Sequence, residues 1–224
     1  LDGLLKHNGP IKNLSLVNKL IGVNNFNNKI QFNKSASLEA QISSISDDIA
    51  YNNHDIQDGI RAKMFDLNEL IEIDFFKNIY KSHKKDIKKN NKEILIYQII
   101  RDSIDLMVKD LIKNTLINIK KNNIKTLNDV YNQKNTTVIF SEKFLRIEKE
   151  IRFFLRTKMY NNKKVLIKNN KGKKIIRDLF ISIKKKPNNF LTKEQLKNDQ
   201  KRAIADFISG MTDRYAINLH KNTQ

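Results

Sequence analysis

No cysteine occurs among the 224 residues, which excludes disulfides, thiolate zinc sites and cysteine nucleophiles and fits a reducing compartment. No apolar run approaches the roughly 20 residues that span a bilayer, and the N-terminus lacks the basic-then-apolar pattern of a signal peptide. The expectation is a soluble, cytoplasmic protein without a membrane partner. Two prolines and six glycines are sparse punctuation, so little interrupts long helices. Base is absent from one long stretch: Ser35 to Ile60 contains no Lys or Arg, although these make up 43 residues of the chain.

Apolar residues recur at spacings of three and four along most of the sequence, the helical period. The spacing predicts an all-α protein with helices over about 13–22, 37–64, 67–84, 92–120, 126–133, 141–160, 172–185 and 193–220. The first residues, LDGLLKHNGPIKN, read as the end of a helix closed by an Asn-Gly-Pro turn, as expected of a chain cut from something longer. Strand signals are limited to VLIK at 165–168 and TTVIF at 136–140, read as a hairpin or an extended connector. Loops are expected at 23–34, 81–93 and 168–174, and no internal repeat is visible.

A formal charge of +19 suits an anionic partner such as nucleic acid, nucleotide or an anionic surface. Joint enrichment in Lys, Asn and Ile equally fits codon drift in an AT-rich genome. The lysine-rich runs at 81–93 and 168–174 are expected to be solvated.

Against that background the base-free stretch carries Glu39, Asp47, Asp48, Asp55 and Asp58, a charge of −5. On a helical wheel, Leu38, Ile42, Ile45, Ile49, Ile56, Ile60 and Met64 form one apolar stripe. Asp47, Tyr51, His54, Asp55 and Asp58 lie opposite, with Asp47, Tyr51 and Asp55 in line at i, i+4 and i+8. Ala36, Ala40, Ser43 and Ser44 make the same side small one to three turns earlier, where another helix could press close. Stacked carboxylates without a cation are mildly destabilising, so this face is expected to be covered and functional rather than wet. A hydrolytic metal needs about three protein ligands, commonly His and carboxylate. The histidines are His7, His54, His83 and His220; His83 and His220 read as surface residues, and His54 lies almost two turns from Asp47.

LDGLLKHNGP at 1–10, SLEAQISSISDDIAYNNHDIQDGIRAKMF at 37–65, RDSIDLMVKDLI at 101–112 and AIADFISGMTDRYAINLH at 203–220 resemble, in order, segments of the HD-domain deoxynucleoside triphosphate triphosphohydrolases of the bacterial dGTPase-like type. FLRTKMYNNKKV at 154–165 is similar to a further family segment. The resemblance covers the C-terminal portion of the family architecture, without its upstream His and His-Asp metal motif. It implies that residues 1–120 are the C-terminal part of the HD catalytic domain and 121–224 an HD-associated helical region. Asp47 matches the downstream aspartate ligand of a divalent metal such as Mg or Mn. Tyr51 matches a residue near phosphate or sugar, Asp55 an acceptor for the sugar 3′-hydroxyl, and Tyr160 a tyrosine facing the nucleotide. The His54-Asp55 pair is not the family's HD doublet. Lys6, Arg61, Arg156 and above all Arg214 are candidates for holding the triphosphate.

The implied activity is hydrolysis of a dNTP to deoxynucleoside and tripolyphosphate by a longer homo-oligomeric enzyme, with this portion inactive alone and no catalytic residue within it. A different nucleotide substrate for the same type of enzyme is a second reading. The alternative from another class is a non-catalytic basic helical module that binds nucleic acid weakly.

Overall fold

The computed structural model describes residues 2–21, 30–83 and 92–223. All regular structure among them is helical, as the periodicity predicts. The elements are α1 (Asp2–Leu5), α2 (Leu14–Ile21), α3 (Leu38–Arg61), α4 (Leu67–Leu70), α5 (Asp74–His83), α6 (Lys92–Lys121), α7 (Leu127–Tyr131) and α8 (Glu142–Leu155). A π-helical turn (Arg156–Tyr160) follows, then α9 (Lys163–Lys185), a 3₁₀ turn (Pro187–Asn189), α10 (Lys193–Leu196), α11 (Gln200–Ser209) and α12 (Asp213–Thr223). No helix among the described residues is long and apolar enough to cross a membrane. The expected loops at 23–34 and 81–93 fall largely outside the described residues.

Packing divides the chain into two compact units, residues 1–159 and 160–224. This is a division of packing, distinct from the domain boundary expected after residue 120. The core of the first unit gathers Ile49 and Ile56 of α3, Phe75, Phe76 and Ile79 of α5, Ile99, Ile100, Met107 and Leu111 of α6, and Ile147, Ile151 and Leu155 of α8. Its aromatic rings meet edge to face, Phe65 against Phe154 at 4.8 Å and Phe75 against Phe144 at 5.8 Å, the arrangement that ring quadrupoles favour. In the second unit, Leu179 and Ile183 of α9 close on Leu191 and on Ile204 of α11.

Four expectations are corrected. The single helix over 67–84 is two: an Asp66–Glu69 capping box starts α4 and the chain turns at Ile71 before α5 begins. Residues 193–220 form three helices, because Asp199 caps a new start and Gly210 ends α11. The VLIK run and the expected loop at 168–174 both lie inside α9, which begins at Lys163, because Asn162 accepts from the Lys164 amide at 3.0 Å and nucleates the helix early. Finally, His83 and His220 are partly buried and paired with aspartates rather than simply solvated. His83 Nε2 meets Asp102 at 2.5 Å with 18% of its side chain exposed, and His220 Nε2 meets Asp178 at 3.0 Å with 14% exposed.

Residues 136–140 are the extended connector, held by side chains instead of a strand ladder. Buried Gln41 accepts from the Thr137 and Val138 amides at 3.0 and 3.1 Å and donates to the Ala36 carbonyl at 2.8 Å. From the other side Asn118 and Asn114 of α6 donate to the carbonyls of Thr137 and Ile139 at 3.0 and 2.8 Å. Asp110 accepts from the Ser141 amide and hydroxyl at 2.8 and 2.7 Å and so fixes the start of α8. β-Branched residues favour extended backbone; here helix side chains supply the partners that a neighbouring strand would have offered.

Burial pushes the Asp102 carboxyl up, but hydrogen bonds from His83 and Arg101 outweigh it and hold the group below its ordinary 3.8. A lowered folded pKa gives stability that is present above the unfolded pKa and disappears as pH falls through the folded one. Urea melts of Asp102→Asn and the parent should therefore differ by roughly 1–2 kcal/mol at pH 7, and the gap should shrink below about pH 4. An unchanged gap at pH 3 would contradict the assignment.

At Gly59 a Cβ would stand 2.2 Å from the Phe65 ring. Phe65 is 4% exposed and wedged on Phe154, so it has little room to retreat. Gly59→Ala gains about 1 kcal/mol of helix propensity, but a Cβ this close to a ring that cannot retreat puts the overpacking cost at the upper end of about 1–3 kcal/mol, so a net destabilisation of up to about 2 kcal/mol is expected. A chemical-denaturation midpoint equal to or above that of the parent would refute this.

Candidate functional site

α3 starts where Ser37 caps the Ala40 amide, and its first turns carry the small side chains that let another element approach. α1 takes that place: a Cβ added to Gly3 would lie 3.1 Å from that of Ala40. The predicted close approach at the small side is thus made by the chain's own first helix.

Lys6, one candidate for the triphosphate, anchors this contact. It is 1% exposed, its Nζ lying 2.8 Å from Asp2 and donating to the Ser35 carbonyl at 3.3 Å, with the Tyr131 ring centroid at 5.0 Å. Burial, reinforced by the charges of Asp2 and Glu39, raises the Tyr131 phenol above its ordinary value. An ammonium so enclosed is a structural clamp rather than a surface phosphate hook.

The next residue points the other way. Gly9, at φ +96°, lets the chain reverse in the Asn-Gly-Pro turn, and His7 Nε2 comes to 3.4 Å from Asp47 Oδ2. Beside this pair a cleft of 360 Å³ opens between the turn, Ser44 and Asp48 of α3, and Thr136. The two adjacent aspartates have separate surroundings. Asp48 is tied to Arg152 of α8 at 2.9 Å, and Arg152 also binds Glu148. Asp47 faces His7 and stays 57% exposed.

Further along, Tyr51 is 69% exposed, His54 and Asp58 are exposed and Asp55 is half-buried. Asp47, Tyr51 and Asp55 thus share one open face of α3. Within the described residues this face meets water, and the apolar stripe behind it is narrower than predicted, Ile42 being 46% exposed. Tyr160 ends the π-helical turn at 45% exposure, and Arg214 is exposed in the first turn of α12. Both belong to the second unit, so the three α3 residues come together by helical spacing alone. Arg61 lies 3.7 Å from Asp58, and Arg156 is exposed in the π turn.

His7 is one of four candidate histidines in the sequence, with nothing there to tie it to Asp47. The one local signal was its place before an Asn-Gly-Pro turn, and Asp47 is forty residues away. As a metal site the described residues are incomplete: none of their His, Asp or Glu side chains form a group of three able to hold an ion. Asp47 with His7 offers two donors, short of the set a hydrolytic metal requires.

A family model described as a phosphohydrolase-associated domain matches residues 138–222. A protein of Pelagibacter ubique named deoxyguanosinetriphosphate triphosphohydrolase-like protein is 75% identical over 221 residues, 99% of this chain and 60% of that protein. Proteins of the same name from Rickettsia typhi and Bartonella henselae are 37% and 34% identical, each matched over 58% of its length. The chain therefore spans about 60% of the length of these relatives.

Proposed function

Because the chain belongs to the deoxyguanosinetriphosphate triphosphohydrolase-like proteins, being 75% identical to one of them over 221 residues, we propose that it forms part of an enzyme that hydrolyses a dNTP to deoxynucleoside and tripolyphosphate. The observation that carries the reading is the open α3 face, where Asp47, Tyr51 and Asp55 stand in line within a base-free stretch of a strongly basic protein. Asp47 is one ligand of a divalent metal whose other ligands come from outside the described residues. Asp48 is held away in its Arg152 pair, which leaves a single carboxylate of the doublet for that role.

A nucleotide lying along this face would meet the chain in a fixed order. The Tyr51 hydroxyl donates to a phosphate or sugar oxygen one turn from Asp47. Asp55, one turn further, accepts from the sugar 3′-hydroxyl. Tyr160 and Arg214 of the second unit are separate candidates for contacts to the same substrate, the tyrosine to the nucleotide and the guanidinium to the triphosphate. Homo-oligomerisation fits the same reading.

The test uses the protein produced from the complete open reading frame that encodes this chain. Tripolyphosphate release from dGTP is expected, with strong discrimination against 2′,3′-dideoxy-GTP. An analogue that lacks the hydroxyl forfeits the hydrogen bond that this carboxylate would accept, so Asp55→Ala should erase the discrimination. Release of orthophosphate or pyrophosphate instead, or discrimination that survives Asp55→Ala, would refute the assignment.

A further inference from the structure

Positive charge is unevenly distributed. α9 carries eight lysines, one arginine and a single acid, Asp178, a net +8 in 23 residues that leaves +11 for the other 201. Uniform compositional drift does not concentrate charge in this way. The one acid is occupied by His220 at 3.0 Å, and no ion pair among the described residues involves Lys168, Lys171 or Lys173.

These three lysines form the lip of a cleft of 870 Å³ between the first half of α9, the end of α11 and the start of α12. That volume lies within the roughly 300–1,000 Å³ of small-molecule sites. The floor is apolar, built from Ile175, Ile176, Phe180, Ile208, Met211 and Ile217. Ile176 and Ile217 remain 53% and 41% exposed, apolar surface whose covering by a bound molecule is favourable. Gly172 opens the wall, since a Cβ there would meet nothing within 4 Å.

We infer that this cleft binds an anionic amphiphile, with a phosphate-type head group on the lysine lip and an aliphatic body on the floor. Three ammonium groups against the one carboxylate lining the cleft, Asp213, set the sign of the head group. The floor sets the body: it is aliphatic apart from Phe180 and offers a nucleobase few polar partners, chiefly Asn169 and Ser209. The site lies wholly within the second packing unit and does not depend on the triphosphohydrolase reading.

Calorimetric titration of the chain with dodecyl phosphate, below its micelle concentration, tests the inference. Saturable one-to-one binding is expected, whereas inorganic phosphate and dodecanol should each bind at least about tenfold more weakly. Two variants remove the two halves of the site. Lys168→Gln/Lys171→Gln/Lys173→Gln changes only exposed side chains. Gly172→Phe fills the cleft while replacing a poor helix former, so the fold is kept; circular dichroism checks both. Each should weaken binding by about tenfold or more.

Absence of saturable binding would overturn the inference, as would dodecyl phosphate binding unchanged in Gly172→Phe. So would single-stranded oligonucleotide binding that needs the three lysines, ignores Gly172→Phe and displaces the amphiphile, since the surface would then be a nucleic-acid track. A dimer in sedimentation that Gly172→Phe dissociates would overturn it too, by showing that a second copy fills the cleft.

Discussion

Gln41→Leu is expected to lower the unfolding free energy by about 3–5 kcal/mol, because leaving a buried backbone group unpaired costs about 1–3 kcal/mol and this side chain serves three of them. Gln41 is 9% exposed and reaches the Thr137 and Val138 amides with its oxygen and the Ala36 carbonyl with its nitrogen. Leucine matches the volume and supplies neither. With typical domain stabilities of about 5–15 kcal/mol, the loss should be plain in a denaturant melt. Asn118→Ala removes one bond, to the Thr137 carbonyl, and should cost only about 1 kcal/mol. A Gln41→Leu loss no larger than that of Asn118→Ala would mean that the strap is held mainly by its apolar residues.

Asp47→Asn in the complete protein is expected to abolish metal-dependent tripolyphosphate release while leaving the fold intact. Outer-shell partners of a metal ligand cost about 10–100-fold in affinity or activity when removed, so a ligand itself should cost more. Asp47 is 57% exposed and contributes to no core cluster, hence its thermal midpoint should stay within about a degree or two of the parent. Asp48→Asn has the opposite profile. It breaks the Arg152 pair at 2.9 Å, a stability effect of at most about 1 kcal/mol for a half-exposed pair, with release largely kept. Equal losses of activity in the two variants would remove the distinction drawn between them.

The parts of the fold that the sequence made legible are those written at short range. α3 follows from a 3.6-residue apolar period and the Ser37 cap, and the line of Asp47, Tyr51 and Asp55 follows from helical spacing within it. Misreadings came where local propensity and helical context disagree. Val165 and Ile167 look β-prone and Asn169, Asn170 and Gly172 look like a turn, yet all lie within α9 once Asn162 starts it.

Contacts between distant residues leave no periodic trace. His83 meets Asp102 across 19 positions and Gln41 meets Val138 across 97. His7 beside Asp47 is of the same kind, made by a glycine turn and a helix–helix contact that no window of sequence displays. Tyr160 and Arg214 became candidates through resemblance alone, and their place in the second unit was not legible in any spacing.

The strap at 136–140 also separates inheritance from folding. The family-matched segment begins at residue 138, in the middle of that strap, yet Val138, Phe140, Ile147, Ile151 and Leu155 are buried in the core of the first unit. A cut made where the recognisable module starts would strip five apolar side chains from that core and present them to solvent on the excised piece. The portion of this chain that evolution carries as a module is therefore not one that should stand alone in water.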